Sequence, residues 1–197
     1  MQLPSRLQQQ LEFIVEIDKL KKVFRQTFLI DKTRRENDAE HSWHLAMMAM
    51  VLGEYAPEGT DLSRVIRMVL VHDLVEIYAG DTFAFDDVGH RDKELRERQA
   101  ADQLFGLLPA DQKGILRQLW DEYEAQETQE ARFARTLDRL QPLIHNYYTD
   151  GGTWKKFGVK ADRVWPRVDA VAQGSKALGQ LAQELVERAI AQGILQS

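Results

Sequence analysis

The segment Val71-His72-Asp73-Leu74-Val75-Glu76-Ile77 sets three ionisable side chains into a run otherwise apolar enough for the middle of a protein. On helical geometry His72 and Glu76 lie one turn apart, as do Asp73 and Glu76, so all three crowd onto one side. Burying them unpaired is expensive, and that side should therefore line a pocket. An imidazole nitrogen beside a carboxylate oxygen suits a borderline divalent metal such as Mn, Fe, Co, Ni or Zn. Two ligands alone hold a metal poorly. His41, at the opening turn of a helix, and Asp138, which interrupts the apolar series Phe133, Leu137, Leu140, supply a third and a fourth. One ion would then tie three helices together.

Each of these residues has a plainer reading. His41 alone suits a helix cap or a surface position, Asp138 alone can pair with Arg135 or Arg139, and His-Asp dipeptides are common. The plain readings must all hold at once on a buried helix for the metal reading to fail, and the residues by themselves leave both open. His44 and His145 share faces with His41 and Asp138 but fit packing or supporting positions better than ligation, and His90 sits in a charged, solvated stretch. The group Met47, Met48 and Met50 fits core or interface packing.

The elements that must position these residues are helices. Leu7, Leu11, Ile14, Leu20 and Phe24 return to one face and predict a first amphipathic helix ending before Arg25. Asp38 is placed to cap a second helix through Leu52, with Gly53 and Pro57 after it. A third runs from Asp61 or Ser63 to Ala79 with Gly80 behind it, apolar on nearly every side and so central. A charged helix follows from about Arg91 to Leu108, a fifth begins at Pro109, and Thr128 opens a sixth through Ile144. Gly151-Gly152 breaks the pattern, and residues 161–195 form two more helices parted near Gly174. No alternating strand run, repeat or linker is visible. The expected fold is all-α, a single domain over residues 1–197 of about seven to eight helices, with a core over about 20–148 and C-terminal helices over 161–195 packed on it.

Composition narrows the partners. A hydrophobic share of 44% over 197 residues supports a sizeable core. The formal charge of -5, from 26 basic and 31 acidic residues, argues against a nucleic-acid polymer as partner. With no cysteine, thiolate metal sites and cysteine nucleophiles are excluded and a reducing, cytoplasmic setting is expected. Met1 to Arg6 carries no basic leader followed by an apolar run, and no long uncharged apolar stretch predicts a membrane span.

His41, then His72-Asp73, then Asp138 resembles the H...HD...D signature of the HD-domain phosphohydrolases. Glu36-Asn37-Asp38-Ala39-Glu40-His41-Ser42, His72 to Glu76 with Gly80-Asp81, and Thr136 to Leu140 are similar to the branch that contains 5′-deoxynucleotidases. The resemblance runs from about Leu20 to Tyr148, and Trp154 to Val159 is also similar to some members. It implies an all-α HD-domain fold holding one divalent metal (Mn, Co, Fe, Ni, Mg or Zn) between His41, His72, Asp73 and Asp138. It also implies Glu76 as general acid or base, Asp81 as an acid facing the sugar, and Arg25 as the phosphate clamp. The implied reaction is hydrolysis of nucleoside (deoxy) 5′-monophosphates by a homodimer acting on a small phosphorylated substrate. Another small phosphate ester or nucleotide, or a non-catalytic metal- or nucleotide-binding module, are the alternatives.

Two positions depart from the pattern. Gln26-Thr27-Phe28 stands where relatives often carry Trp after the arginine, with Phe28 as the substitute ring at the substrate, and selectivity for deoxyribose is the property this touches. The loop Thr82 to Asp87 lacks the proline expected after Gly-Asp.

Overall fold

The computed structural model describes residues 4–197. Met1 to Leu3, on which the leader reading partly rests, lie outside the described residues. Helices dominate: α1 (Ser5–Ile17), α2 (Asp38–Leu52), α3 (Leu62–Val71), α4 (Glu76–Ala79), α5 (Lys93–Phe105), α6 (Ala110–Ala125), α7 (Gln129–Tyr148), α8 (Gly152–Lys156), α9 (Ala161–Gly174) and α10 (Lys176–Ala191). The expected all-α class holds, with more pieces than anticipated because short helices follow α3 and α7. Among the described residues no helix is long and apolar enough to cross a membrane.

Three local expectations are corrected. The first helix does not run to Phe24. It stops at Ile17, tightens into a 3₁₀ turn over Asp18–Lys22, and at Val23 the backbone turns extended. Phe24–Phe28 is β1, paired antiparallel with β2 (Arg35–Asn37) through Phe24 opposite Asn37 and Phe28 opposite Arg35. The apolar spacing of Leu20 and Phe24 fits a helix equally well, and only the distant partner strand resolves the ambiguity.

The second correction concerns the cap of α2, which is Asn37 and not Asp38. The Glu40 amide donates to Asn37 Oδ1 at 3.0 Å, and the Asn37 amide donates to Glu40 Oε2 at 3.2 Å, a reciprocal capping box. Asp38 is thereby moved into the first turn, where it is fully buried.

The third is that the helix carrying His72 is interrupted. Beyond Val71 the hydrogen bonds shorten to the i→i+3 kind, Leu74 to Val71 at 3.1 Å and Glu76 to Asp73 at 3.0 Å. The carbonyl of Val69, which a continuous helix would offer to the Asp73 amide, accepts from His72 Nδ1 at 2.9 Å. Gly80 then leaves the helix at φ 76°, a conformation that glycine adopts without steric cost.

α7 is the central element and packs against α2, α3, α6, α9 and α10. Phe133, Leu137 and Leu140 on its inner face are completely buried. Thr128 caps it, Oγ1 accepting from the Ala131 amide at 3.2 Å, as the sequence predicts.

Candidate metal centre and cavity

α2, the turn after α3, and α7 point their polar residues at one spot. His41 is fully buried, and His72, Asp73 and Asp138 are nearly so. His41 Nε2 lies 3.1 Å from Asp138 Oδ1, His72 Nε2 lies 3.1 Å from Asp73 Oδ1 and 3.8 Å from Asp138 Oδ1, and His41 Nε2 lies 3.9 Å from Asp73 Oδ2. The four residues expected as ligands thus come together.

The donor set fits a divalent cation. Candidate ligand atoms of His41, His72 and Asp138 all lie within 4.8 Å of one another, the spread that bonds of about 2.0–2.2 Å to a common centre require. His72 gives its Nδ1 proton to a carbonyl, so Nε2 is the nitrogen that faces the cluster and becomes a lone-pair donor when a cation displaces its proton. That Nε2 is buried and has no hydrogen-bond partner. Asp138 does not turn outward to its helix neighbours: Arg139 Nε stands 4.0 Å from Oδ2, whereas Oδ1 faces both histidines. The plainer pairing with Arg135 or Arg139 is not what the fold selects.

Within the cluster the charged groups shift one another. Burial favours the neutral ring of His72, yet Asp73 and Asp138 push it up to about 10. Burial would raise the Asp138 carboxyl, but the two histidines hold it well below the usual range. Such crowding of lone pairs and carboxylates favours a cation over protons alone.

The cavity beside this cluster is lined by Glu76, Asp81, Arg25, Phe83, Arg135 and Arg167, among others. Glu76 is buried with Oε2 unpartnered, and burial together with Asp73, Asp38 and Asp81 raises its carboxyl well above the ordinary value. Burial also raises Asp81. Arg25 reaches in from β1 and donates from Nη1 to Asp73 Oδ2 at 2.9 Å, with Asp38 Oδ1 at 3.5 Å. Gln26 and Thr27 line the cavity beside it, but Phe28 is not among the lining residues. Its carbonyl accepts from His145 Nδ1 at 2.9 Å, and its ring lies 5.7 Å from Lys156 Nζ.

Sequence reasoning passed over several residues here. Glu36 is buried, with Oε2 3.5 Å from His41 Nδ1, and its Oε1 accepts from Gln141 Nε2 at 2.7 Å. Gln141 Nε2 also lies 3.1 Å from His145 Nε2 and 3.4 Å from His44 Nδ1, so these two histidines support the site from behind, away from the metal cluster. Asp38 meets Asp73 and Glu76, and burial and Asp73 push its carboxyl up to about 7. The signal for Asp38 was present in the Asn37 to Glu40 capping pattern. Tyr123, whose hydroxyl donates to Asp138 Oδ2 at 3.1 Å, carried no signal.

A largely helical scaffold that gathers two histidines and two aspartates beside a cavity with further acids defines a class of helical protein with a candidate metal centre. The HD domain family model matches residues 17–179, and the chain belongs to that family. It is 33% identical over 135 residues to a human protein named 5′-deoxynucleotidase HDDC2, an alignment covering 68% of this chain and 65% of that protein. The chain thus spans slightly less than two thirds of that relative's length. A crystal structure described as a predicted metal-dependent phosphohydrolase from Magnetospirillum magnetotacticum MS-1 is 56% identical, with a TM-score of 0.94 over 98% of this chain and 97% of that one. The PH0347 protein from Pyrococcus horikoshii OT3, at 23% identity and TM-score 0.67 over 90% of this chain and 98% of that one, shares the fold.

Proposed function

We propose that the protein is a metal-dependent phosphomonoesterase that hydrolyses nucleoside or deoxynucleoside 5′-monophosphates to the nucleoside and phosphate. The observation that carries this reading is the convergence of His41, His72, Asp73 and Asp138 next to a cavity that also holds Glu76 and Asp81. The names of the relatives, 5′-deoxynucleotidase and metal-dependent phosphohydrolase, agree with it.

In this mechanism His41, His72, Asp73 and Asp138 would hold one divalent metal. When bound, that ion supplies Lewis acidity towards a phosphoryl oxygen and lowers the pKa of water. The chain's own groups do the rest. Glu76, with a free oxygen in the cavity, exchanges a proton with the attacking water or the leaving nucleoside oxygen. Arg25 keeps Asp73 ionised and turned towards the ligand cluster while offering its cavity edge to the phosphate. Asp81 takes hydrogen bonds from the sugar. Gln26 and Thr27, rather than an aromatic ring, stand beside Arg25, which supports a site without strong discrimination at the ribose 2′ position.

We further read residues 1–197 as one domain working in the cytoplasm, in keeping with the absence of cysteine. The exposed Trp43, Met47, Met50 and Val51 on α2 support a homodimer, a mass that sedimentation equilibrium reads directly.

The test is phosphate release across nucleoside mono-, di- and triphosphates and simple phosphate esters with Mn, Co, Mg, Ni, Fe and Zn supplied in turn. Nucleoside monophosphates should be turned over only with added metal. Glu76→Gln should lose about 10²–10⁴ in rate and still bind the metal. Turnover without metal, or an unimpaired Glu76→Gln, would overturn the mechanism, and no release from any monophosphate would overturn the substrate.

A further inference from the structure

Charge is unevenly distributed around the cavity. On the side of the acids, Arg25 faces Asp73 at 2.9 Å, Asp38 at 3.5 Å and, through Nε, Glu36 at 4.0 Å. Its side chain is only 15% exposed, so one guanidinium already serves three carboxylates. Lys93, also on the cavity wall, is held by Glu97 at 3.0 Å. Both cations are thus already partly neutralised by carboxylates of the protein.

The opposite wall is the reverse. Arg135 and Arg139, one turn apart on α7 around Asp138, and Arg167 on α9 line the same cavity. Among the described residues, no carboxylate lies within 4.0 Å of Arg135 or Arg167, and Arg139 has only Asp138, at 4.0 Å. The Asp138 oxygens are already directed at His41, His72 and the Tyr123 hydroxyl. The guanidinium of Arg135 instead lies over the Tyr123 ring at 5.0 Å and that of Arg167 over Phe85 at 4.7 Å, where aromatic faces hold their planes in place without neutralising them. Arg167 also donates to the Ala84 carbonyl, which fixes its direction. Burial, and then the nearby Arg139 and Arg135 against the opposing pull of Asp138, bring Arg167 down to about 10, as cations crowded together do.

Three half-buried guanidiniums in one cavity, two of them held over aromatic rings and none in an ion pair closer than 4.0 Å, are suited to bidentate capture of an anion. We propose that Arg135, Arg139 and Arg167 form an anion subsite that grips the substrate's phosphate from the side opposite Arg25. The inference rests on the phosphomonoesterase reading for the identity of the anion. It makes the phosphate clamp two-sided and assigns most of its positive charge to α7 and α9, elements not associated with phosphate in the sequence pattern.

Inorganic phosphate is the probe, because it reports on the subsite whether or not any ester is cleaved. Its binding to the metal-loaded protein is measured by calorimetry in the parent chain and in Arg139→Gln, Arg167→Gln and Arg139→Lys, with Arg188→Gln as a charge control on the far surface of α10. Each glutamine variant should bind phosphate about tenfold or more weakly at unchanged metal content, since a hydrogen bond to a charged group contributes about 1.5–3 kcal/mol. Arg139→Lys should recover part of the loss, Arg188→Gln should behave as the parent, and KM for a monophosphate should rise along with the phosphate constant. Unchanged phosphate affinity in both glutamine variants overturns the subsite even if the enzyme hydrolyses nucleotides. Arginine-dependent phosphate binding without turnover of any monoester upholds the subsite and instead overturns the phosphomonoesterase reading. If Arg139→Gln fails to fold, Arg139→Lys and Arg167→Gln decide: loss in Arg167→Gln sustains the proposal and parental affinity in both ends it; if Arg167→Gln fails to fold, Arg139→Gln decides by the same criterion.

Discussion

A histidine that serves a metal must present one nitrogen as a lone pair, and what fixes this is the hydrogen bond made by the other nitrogen. For His72 that bond goes to the Val69 carbonyl, three residues back, at 2.9 Å. For His41, Glu36 Oε2 faces Nδ1 at 3.5 Å, and among the described residues neither atom has a hydrogen-bond partner. Arg25 Nε is likewise unpartnered and 4.0 Å from the same oxygen, so a small shift of the Glu36 carboxylate closes two contacts. Glu36→Gln preserves size and its bond to Gln141 but weakens the hold on the His41 N–H. The expected result is a loss of about 10–100-fold in metal affinity, the range seen when such outer partners are removed, read by competition with a chromogenic chelator. Equal affinity in variant and parent would show that Glu36 serves packing alone. Nothing in the string Arg35-Glu36-Asn37 distinguishes this buried carboxylate from an exposed acid such as Asp31, because its partner Gln141 comes from more than a hundred residues away.

Elements were legible where a single segment carries its own signals. Thr128 before an apolar series and Gly80 after one mark ends that the fold respects, and the polar residues of the HD segment were recognisable because they interrupt an apolar run. What remained hidden depends on partners far along the chain. The β1–β2 hairpin exists because Phe24–Phe28 finds Arg35–Asn37, and the tightening after Val71 follows from a side chain taking a backbone carbonyl. The approach of α9 to α7 is of the same kind. Gly174 ends α9 so close to α7 that a Cβ there would meet the Arg132 carbonyl at 2.6 Å and the Thr136 hydroxyl at a still shorter distance. The sequence marks Gly174 only as a break. Its absent side chain is also what allows Thr136 Oγ1 to donate to the Val171 carbonyl at 3.1 Å. Gly174→Ala should therefore destabilise the fold by about 1–3 kcal/mol, as overpacking does, despite removing a flexible residue from a helix end. A chemical denaturation midpoint that is unchanged or raised, with the slope preserved, would contradict so close a contact.

At the scale of the molecule the proposed ligands come from three separate elements that pack on one another: His41 from α2, His72 and Asp73 from the turn after α3, and Asp138 from α7. The fold also brings buried carboxylates together beside them, with burial and mutual repulsion raising Asp38, Glu76 and Asp81. A cation that binds only when all four ligands are assembled stabilises the folded state by mass action, about 2.7 kcal/mol when free metal is a hundredfold above its dissociation constant. For a chain of this size each kcal/mol moves the melting temperature by about 2–4 °C, so chelation should lower it by about 5–10 °C. The change should reverse on restoring the metal. Asp138→Asn, which keeps the shape of the side chain but weakens one ligand from the central helix, should show a much smaller difference between the metal-supplied and chelated states. An identical melting temperature before and after measured removal of the metal would mean that the elements reach this arrangement unaided and that the cation adds chemistry without adding stability.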